Sequence, residues 1–166
     1  MTAKTDNIPI KRNENIQPLS REHHFGLLFC WKLRTGLKFG IATERIIRYL
    51  DYFWTQHLQQ HFRAEEELLF RKVNDPLCDR ALQEHVQLKE MISSLLARAF
   101  ANEPAQLDKF AVTLTEHIRF EERMLFPHLE KVMSEAQLDK VGKMLNELHA
   151  EQFEDNFPDE FWVKPK

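Results

Sequence analysis

Glycine is scarce in this chain, with four in 166 residues. Runs of β-branched residues are few as well, and the two shortages together argue for helices over sheet. Only two cysteines occur, Cys30 and Cys78. That is too few for a disulfide scaffold, and both are expected as buried free thiols in a reducing compartment. No run of 18 apolar residues exists, so no transmembrane helix is expected. The opening MTAKTDNIPIKRNENIQ lacks the apolar core of a secretory signal, which makes the cytoplasm the expected location. Neither charge sign dominates: the formal net charge is -3. A basic face for nucleic acid or for an anionic membrane is therefore not expected. Nucleotide-binding loops and nucleophile constellations are missing too, so no enzymatic reaction is assigned. The chain is 43% hydrophobic and 30% charged, the balance of one globular domain with a buried core.

What the sequence does contain is one phrase written twice. HFRAEEELLF occupies residues 61–70 and HIRFEERMLF residues 117–126, agreeing at six of ten positions. Helical periodicity surrounds both copies. A polar arm, residues 1–18, ends in Pro18. A first helix follows in LSREHHFGLLFCWKL with Ser20 as its N-cap, and TGLKFG (35–40) breaks it. A second helix, about 41–72, carries the stripe Ile46, Leu50, Phe53/Trp54, His57, His61, Glu65, Leu68. After NDP (74–76), a third helix over about 77–101 turns Leu82, His85, Ile92 and Leu96 inward. After NEP (102–104), a fourth over about 105–132 has the stripe Leu107, Phe110, Leu114, His117, Glu121, Met124. Ser134 and Gln137 read as a capping box opening a fifth helix to about His149. In the polar tail, Phe161 and Trp162 are expected to dock back. The expected fold is all-α: an up-down-up-down four-helix bundle, residues 19–132, with a short C-terminal helix and tail, 133–166, packed on it.

Residues four apart on a helix share a face. His61 with Glu65, and His117 with Glu121, therefore point together, and both pairs lie on the apolar stripe. His24, with Leu28 and Trp31, and His85 fall on inner faces too. A lone inward histidine is more often a satisfied core residue, and a lone His-x-x-x-Glu more often a surface pair. Two copies on matched hairpins, each with a further inward histidine, point instead to a cation that offsets buried carboxylates. Imidazole plus carboxylate suits iron, manganese or zinc. Six such ligands divide into two histidines per metal, with Glu65 and Glu121 bridging. His24 is preferred over His23 because Leu27 and Leu28 lie three and four residues on. Glu66 and Glu122, one position out of phase, are read as solvated or as partners of the ligands. His57, one turn before His61, is either an extra ligand or a hydrogen-bond partner.

HHFGLL, HFRAEEELLF, EHVQL and HIRFEERMLFP together resemble the hemerythrin-like, or HHE cation-binding, proteins over about residues 19–130. The resemblance implies a four-helix bundle around a non-haem di-iron centre, oxo- or hydroxo-bridged, with ligands at His24, His61, Glu65, His85, His117 and Glu121. Other divalent metals are not ruled out by the residue types. The resemblance also implies O2 or NO as small-molecule partners, in a monomer or weak homodimer. The oxygen carriers of that family have His-x-x-x-His on the third helix and His-x-x-x-x-Asp on the fourth. Here Ala81 and Lys89 flank His85 at four residues, and Glu122 lies five after His117. With one histidine fewer, the expectation is redox handling or sensing through iron, with passive cation binding or iron storage as the alternative.

Overall fold

The computed structural model describes residues 11–97, 103–148 and 152–165. Among them there is no strand. Most of the expected arm, the end of the third helix beyond Ala97, and His149 lie outside the described residues. Helix α1 spans Gln17–Lys38. A second rod is built of α2 (Thr43–Phe53), a wide π turn (Trp54–Leu58), α3 (Gln59–Glu65) and a second π turn (Glu66–Phe70). Next come α4 (Pro76–Leu96) and a fourth rod of α5 (Pro104–Phe120), a third π turn (Glu121–Leu125) and α6 (Phe126–Val132). Helix α7 (Glu135–Leu148) follows.

Local chemistry sets these boundaries. Three rods have proline in the first turn, at Pro18, Pro76 and Pro104, where its fixed φ suits a helix and its missing N–H is not needed. Helix α1 thus starts at Gln17, ahead of Ser20, which sits inside it. Asp75 caps α4 by accepting from the Leu77 N–H at 2.8 Å. The Ser134–Gln137 capping box forms, with reciprocal contacts of 2.9 and 3.2 Å. Helix α1 ends at Lys38, and Gly40, φ 69°, closes it two residues on. Ile41 N donates to Gly36 O and Gly40 N to Leu37 O, both at 3.0 Å. This left-handed close favours glycine.

Helix α1 packs along α5 and against α2 and α3, while α4 packs against α5, α2 and the Glu66–Phe70 turn. Two apolar clusters result. One gathers Phe29, Leu33, Tyr49, Phe53, Phe62, Leu88, Phe110 and Phe161. The other gathers Leu19, Leu69, Phe70, Ala81, Phe120, Phe126, Leu138 and Leu145. On each of the four rods a histidine stands between residues of the two clusters. His23 lies between Leu19 and Phe29, His61 between Leu58 and Ala64, His85 between Ala81 and Leu88, His117 between Leu114 and Phe120. A polar layer is therefore sandwiched between two greasy ones. The tail docks as expected: Phe161 is buried, and Lys32 Nζ sits 4.2 Å above the Trp162 ring. Lys32 also donates to Asp155 Oδ2 at 2.8 Å, and Tyr49 O–H donates to the same oxygen.

Candidate metal centre

The polar layer holds His23, His61, Glu65, His85, His117 and Glu121, each at most 3% exposed. Five of these are the residues that the helical stripe singled out. The sixth corrects the sequence reading, because His24 is exposed and His23 occupies the interior. The inner face of α1 is set by Leu19, His23, Gly26, Phe29, Cys30 and Leu33. Leu28 and Trp31, taken as inward, are 46% and 55% exposed. In a run as apolar as FGLLFCW the phase can be chosen one residue off. Met124 is likewise exposed, at 51%. The π turn Glu121–Leu125 inserts one residue into the helical phase, and Leu125 takes the buried place.

Two groups of ligand-type atoms form here. One is His23, His61, Glu65 and Glu121; the other is Glu65, His85, His117 and Glu121. Within each group the atoms all lie within 4.8 Å of one another. Glu65 and Glu121 belong to both. His23 Nε2 is 2.8 Å from Glu121 and 3.4 Å from Glu65, and His61 Nε2 is 3.1 Å from Glu65. His85 Nε2 is 3.4 Å from Glu65 and 3.3 Å from Glu121, and His117 Nε2 is 2.7 Å from Glu121.

Three of the four outward nitrogens are hydrogen-bonded to carboxylates, and the fourth faces one. His23 Nδ1 lies 2.7 Å from Glu122, His85 Nδ1 3.1 Å from Glu66, and His117 Nδ1 2.9 Å from Glu84. His61 Nδ1 lies 3.5 Å from Glu22. A carboxylate only accepts, so it draws the imidazole hydrogen to Nδ1 and leaves the Nε2 lone pair facing inward. Flat aromatic contacts fix the rings further: His23 on Phe126 at 5.4 Å and His85 on Phe62 at 4.0 Å.

The inward atoms lack hydrogen-bond partners. His23, His85 and His117 Nε2 and both oxygens of Glu65 and Glu121 are buried and unsatisfied. Buried polar atoms are normally paired, and a cluster of unpaired ones marks a bound ion or a reactive site. The donor set also fits a cation, since neutral imidazole and carboxylate are the usual nitrogen and oxygen ligands of iron, manganese and zinc. Without an ion, protons take its place. Burial lowers the His61 pKa, but the charges of Glu65 and Glu22 outweigh this and raise it to about 9. His23 and His85 are raised well above their ordinary value against the same opposing burial, through contacts with Glu121 and the other carboxylates. Burial raises Glu121, yet His117 and its other neighbours hold it well below the usual carboxylate range.

His57 is buried but joins neither group. Its Nδ1 is 3.6 Å from Glu22, and its ring stacks on Phe153 at 4.4 Å. It stands beside the layer, next to Glu22, and outside both groups. Glu66 and Glu122 are the hydrogen-bond partners of His85 and His23. His128 pairs at the rim with Asp75, at 2.6 Å. Glu22 and Glu84 had not been singled out in the sequence. The Glu-His dipeptide occurs at 22–23 and 84–85 but also at 116–117, where Glu116 is exposed, so it was no distinguishing signal. A cavity of about 960 Å³, lined in part by Glu22, His24, His57 and Phe153, opens on the outer side of Glu22, which faces His61.

No helix among the described residues is long and apolar enough to cross a membrane. Neither a curated protein nor a solved structure gives a significant match to the chain. Residues 20–129 do match the family model of the hemerythrin HHE cation binding domain. That span includes both groups of inward ligands, the four carboxylates that face their outward nitrogens and the prolines that open α4 and α5; the chain belongs to the hemerythrin HHE cation-binding family.

Proposed function

We propose that this chain is a non-haem di-iron protein that handles or senses O2, NO or related redox stress. In this reading the domain is residues 19–132, an up-down-up-down four-helix bundle, with an arm at 1–18 and a packed helix and tail at 133–166. The observation that carries the reading is the sharing of Glu65 and Glu121 between two groups that each add two histidines. One ion would be held by His23 and His61, the other by His85 and His117, with both carboxylates in common. Two ferrous ions so held would supply electrons and a binding position to a small molecule. The chain's own residues do the rest. Phe62, Phe126 and the two apolar clusters shield the layer from water, and Glu122, Glu66 and Glu84 keep Nδ1 of His23, His85 and His117 protonated and their Nε2 aimed inward.

The count of histidines favours reaction over reversible carriage. Ala81 is buried and apolar, and Lys89 donates to Glu66 at 3.0 Å. Neither supplies a third imidazole to its group, and His57 stands outside the other. The diferrous protein is expected to bind NO and to oxidise in air without a long-lived oxygen adduct. The two free, buried thiols fit a reducing cytoplasm.

Anaerobic purification with metal analysis and an optical spectrum tests the core of this. About two iron atoms per chain are expected. A folded preparation from iron-rich medium holding under about 0.3 metal of any kind per chain overturns it. Stopped-flow mixing with O2 tests the chemistry: an adduct that releases O2 on evacuation restores carriage, and inertness to both O2 and NO leaves iron storage.

A further inference from the structure

The four outer carboxylates are arranged in a closed order. Glu22 of α1 faces His61 of α3. Glu66, in the turn after α3, faces His85 of α4. Glu84 of α4 faces His117 of α5. Glu122, in the turn after α5, faces His23 of α1. Each rod lends a carboxylate to the histidine of the next, and the fourth returns to the first. The pattern follows from the sequence duplication. In α1 and α4 the lending glutamate immediately precedes the rod's own histidine. In the second and fourth rods it immediately follows the inward glutamate. Both positions lie on the flank of the helix that looks toward the next rod.

The charge carried by this ring exceeds what hydrogen bonding alone requires. A backbone carbonyl or a glutamine oxygen would hold Nδ1–H equally well. With Glu65 and Glu121, the ring brings the carboxylates around the layer to six. Arg12 lies beyond Glu122, Arg80 beyond Glu84, and Lys89 and Arg71 beyond Glu66. In each case the carboxylate is interposed between the cation and the imidazole, so the nearer charge is negative. The six negative charges lie nearer the layer than the four cations that partly offset them, which favours the more highly charged ions.

Resting on the di-iron reading above, we propose that Glu22, Glu66, Glu84 and Glu122 are positioning residues whose charges bias the centre toward its ferric level. The equilibrium concerned is one electron added to one ferric ion to give one ferrous ion, with the electron coming from an external donor. Negative charge next to the imidazoles disfavours that addition. It also strengthens electron donation from each Nε2.

The test is a set of Glu→Gln substitutions at 66, 84 and 122, each preserving an acceptor oxygen while removing the charge. Iron-loaded full-length proteins are titrated with a chemical reductant and redox mediators, following the optical spectrum. Each substitution is expected to favour the ferrous form by about tenfold, a rise of about 59 mV for a one-electron step. The double variant at 84 and 122 is expected to shift roughly twice as far. Glu67→Gln, on an exposed side chain of the Glu66–Phe70 turn, serves as the control and should not move the midpoint. Gln variants with normal iron content and unchanged midpoints overturn the proposal. So does loss of iron from all three variants with the fold intact, because the carboxylates would then act on binding geometry alone. Absence of iron from the unmodified protein defeats the di-iron reading itself, and is seen in the metal analysis before any titration.

Discussion

His23 and His24 are chain neighbours on α1, yet one ring lies between Phe126 and two carboxylates and the other faces solvent. His24→Ala is therefore expected to leave metal content unchanged. His23→Ala should remove at least the ion it shares with His61, and the comparison needs only metal analysis of the two purified variants. Under the di-iron proposal, Glu65→Ala or Glu121→Ala should remove both ions together, since both groups include each carboxylate. The two thiols offer a separate check. Burial pushes Cys30 up to about 12 and Cys78 up to about 11. At pH 8 the thiolate fraction of Cys30 is then only about one in ten thousand. Both should be inert to a thiol-exchange reagent in the native protein and react at once in denaturant. Rapid reaction of the native protein contradicts the burial. At this scale the stripe of threes and fours identified His61, Glu65, His85, His117 and Glu121, because their helices have apolar neighbours on one side only. It failed at His24 because α1 offers apolar residues on both sides of the histidine pair.

Helix boundaries were legible wherever proline, glycine or a capping pair marked them, as at Pro76, Pro104, Gly40 and Ser134. The π turns were not. No residue type announces an inserted residue, and its effect is to slide every later side chain by one position. That slide moves Met124 out and Leu125 in. Two of the three turns fall within the duplicated phrase, their starts one position apart within it. The close contact between α1 and the tail gives a test at this scale. A methyl group on Gly36 would come within 2.6 Å of the Phe161 ring. Gly36→Ala gains helix propensity, about 1 kcal/mol. Displacing a buried aromatic ring costs more, about 1–3 kcal/mol. The expected net result is a lower melting temperature, with faster proteolysis in residues 152–165. Unchanged protease sensitivity there counts against the docking.

For the molecule as a whole, the di-iron proposal predicts that the layer stabilises the fold differently with and without metal. In the apoprotein, protonated histidines answer the buried carboxylates. The folded pKa of His61, about 9, exceeds its ordinary value of 6.5. Its contribution is therefore complete below about pH 6.5 and is lost as pH rises through about 9. Iron binding runs the other way, because it requires neutral imidazoles and releases their protons. Melting at about pH 6 and about pH 8.5 should show the apoprotein weakening while the iron-loaded protein gains, so the gap between them widens. A gap that narrows with pH defeats this account, and identical midpoints at both values would place the ions outside the core. The location of the apolar layers also bears on how separable this bundle is. The family match stops at residue 129, but Phe161 belongs to one core cluster, and Leu138, Val141 and Leu145 belong to the other. A fragment cut at the family boundary would uncover Tyr49, which packs on Phe157, Phe161 and Trp162, at one end, and the face of the Glu66–Phe70 turn that meets α7 at the other. Transplanted into a fusion protein or a designed sensor, this bundle has to travel with its last helix and tail, or it arrives with both ends open.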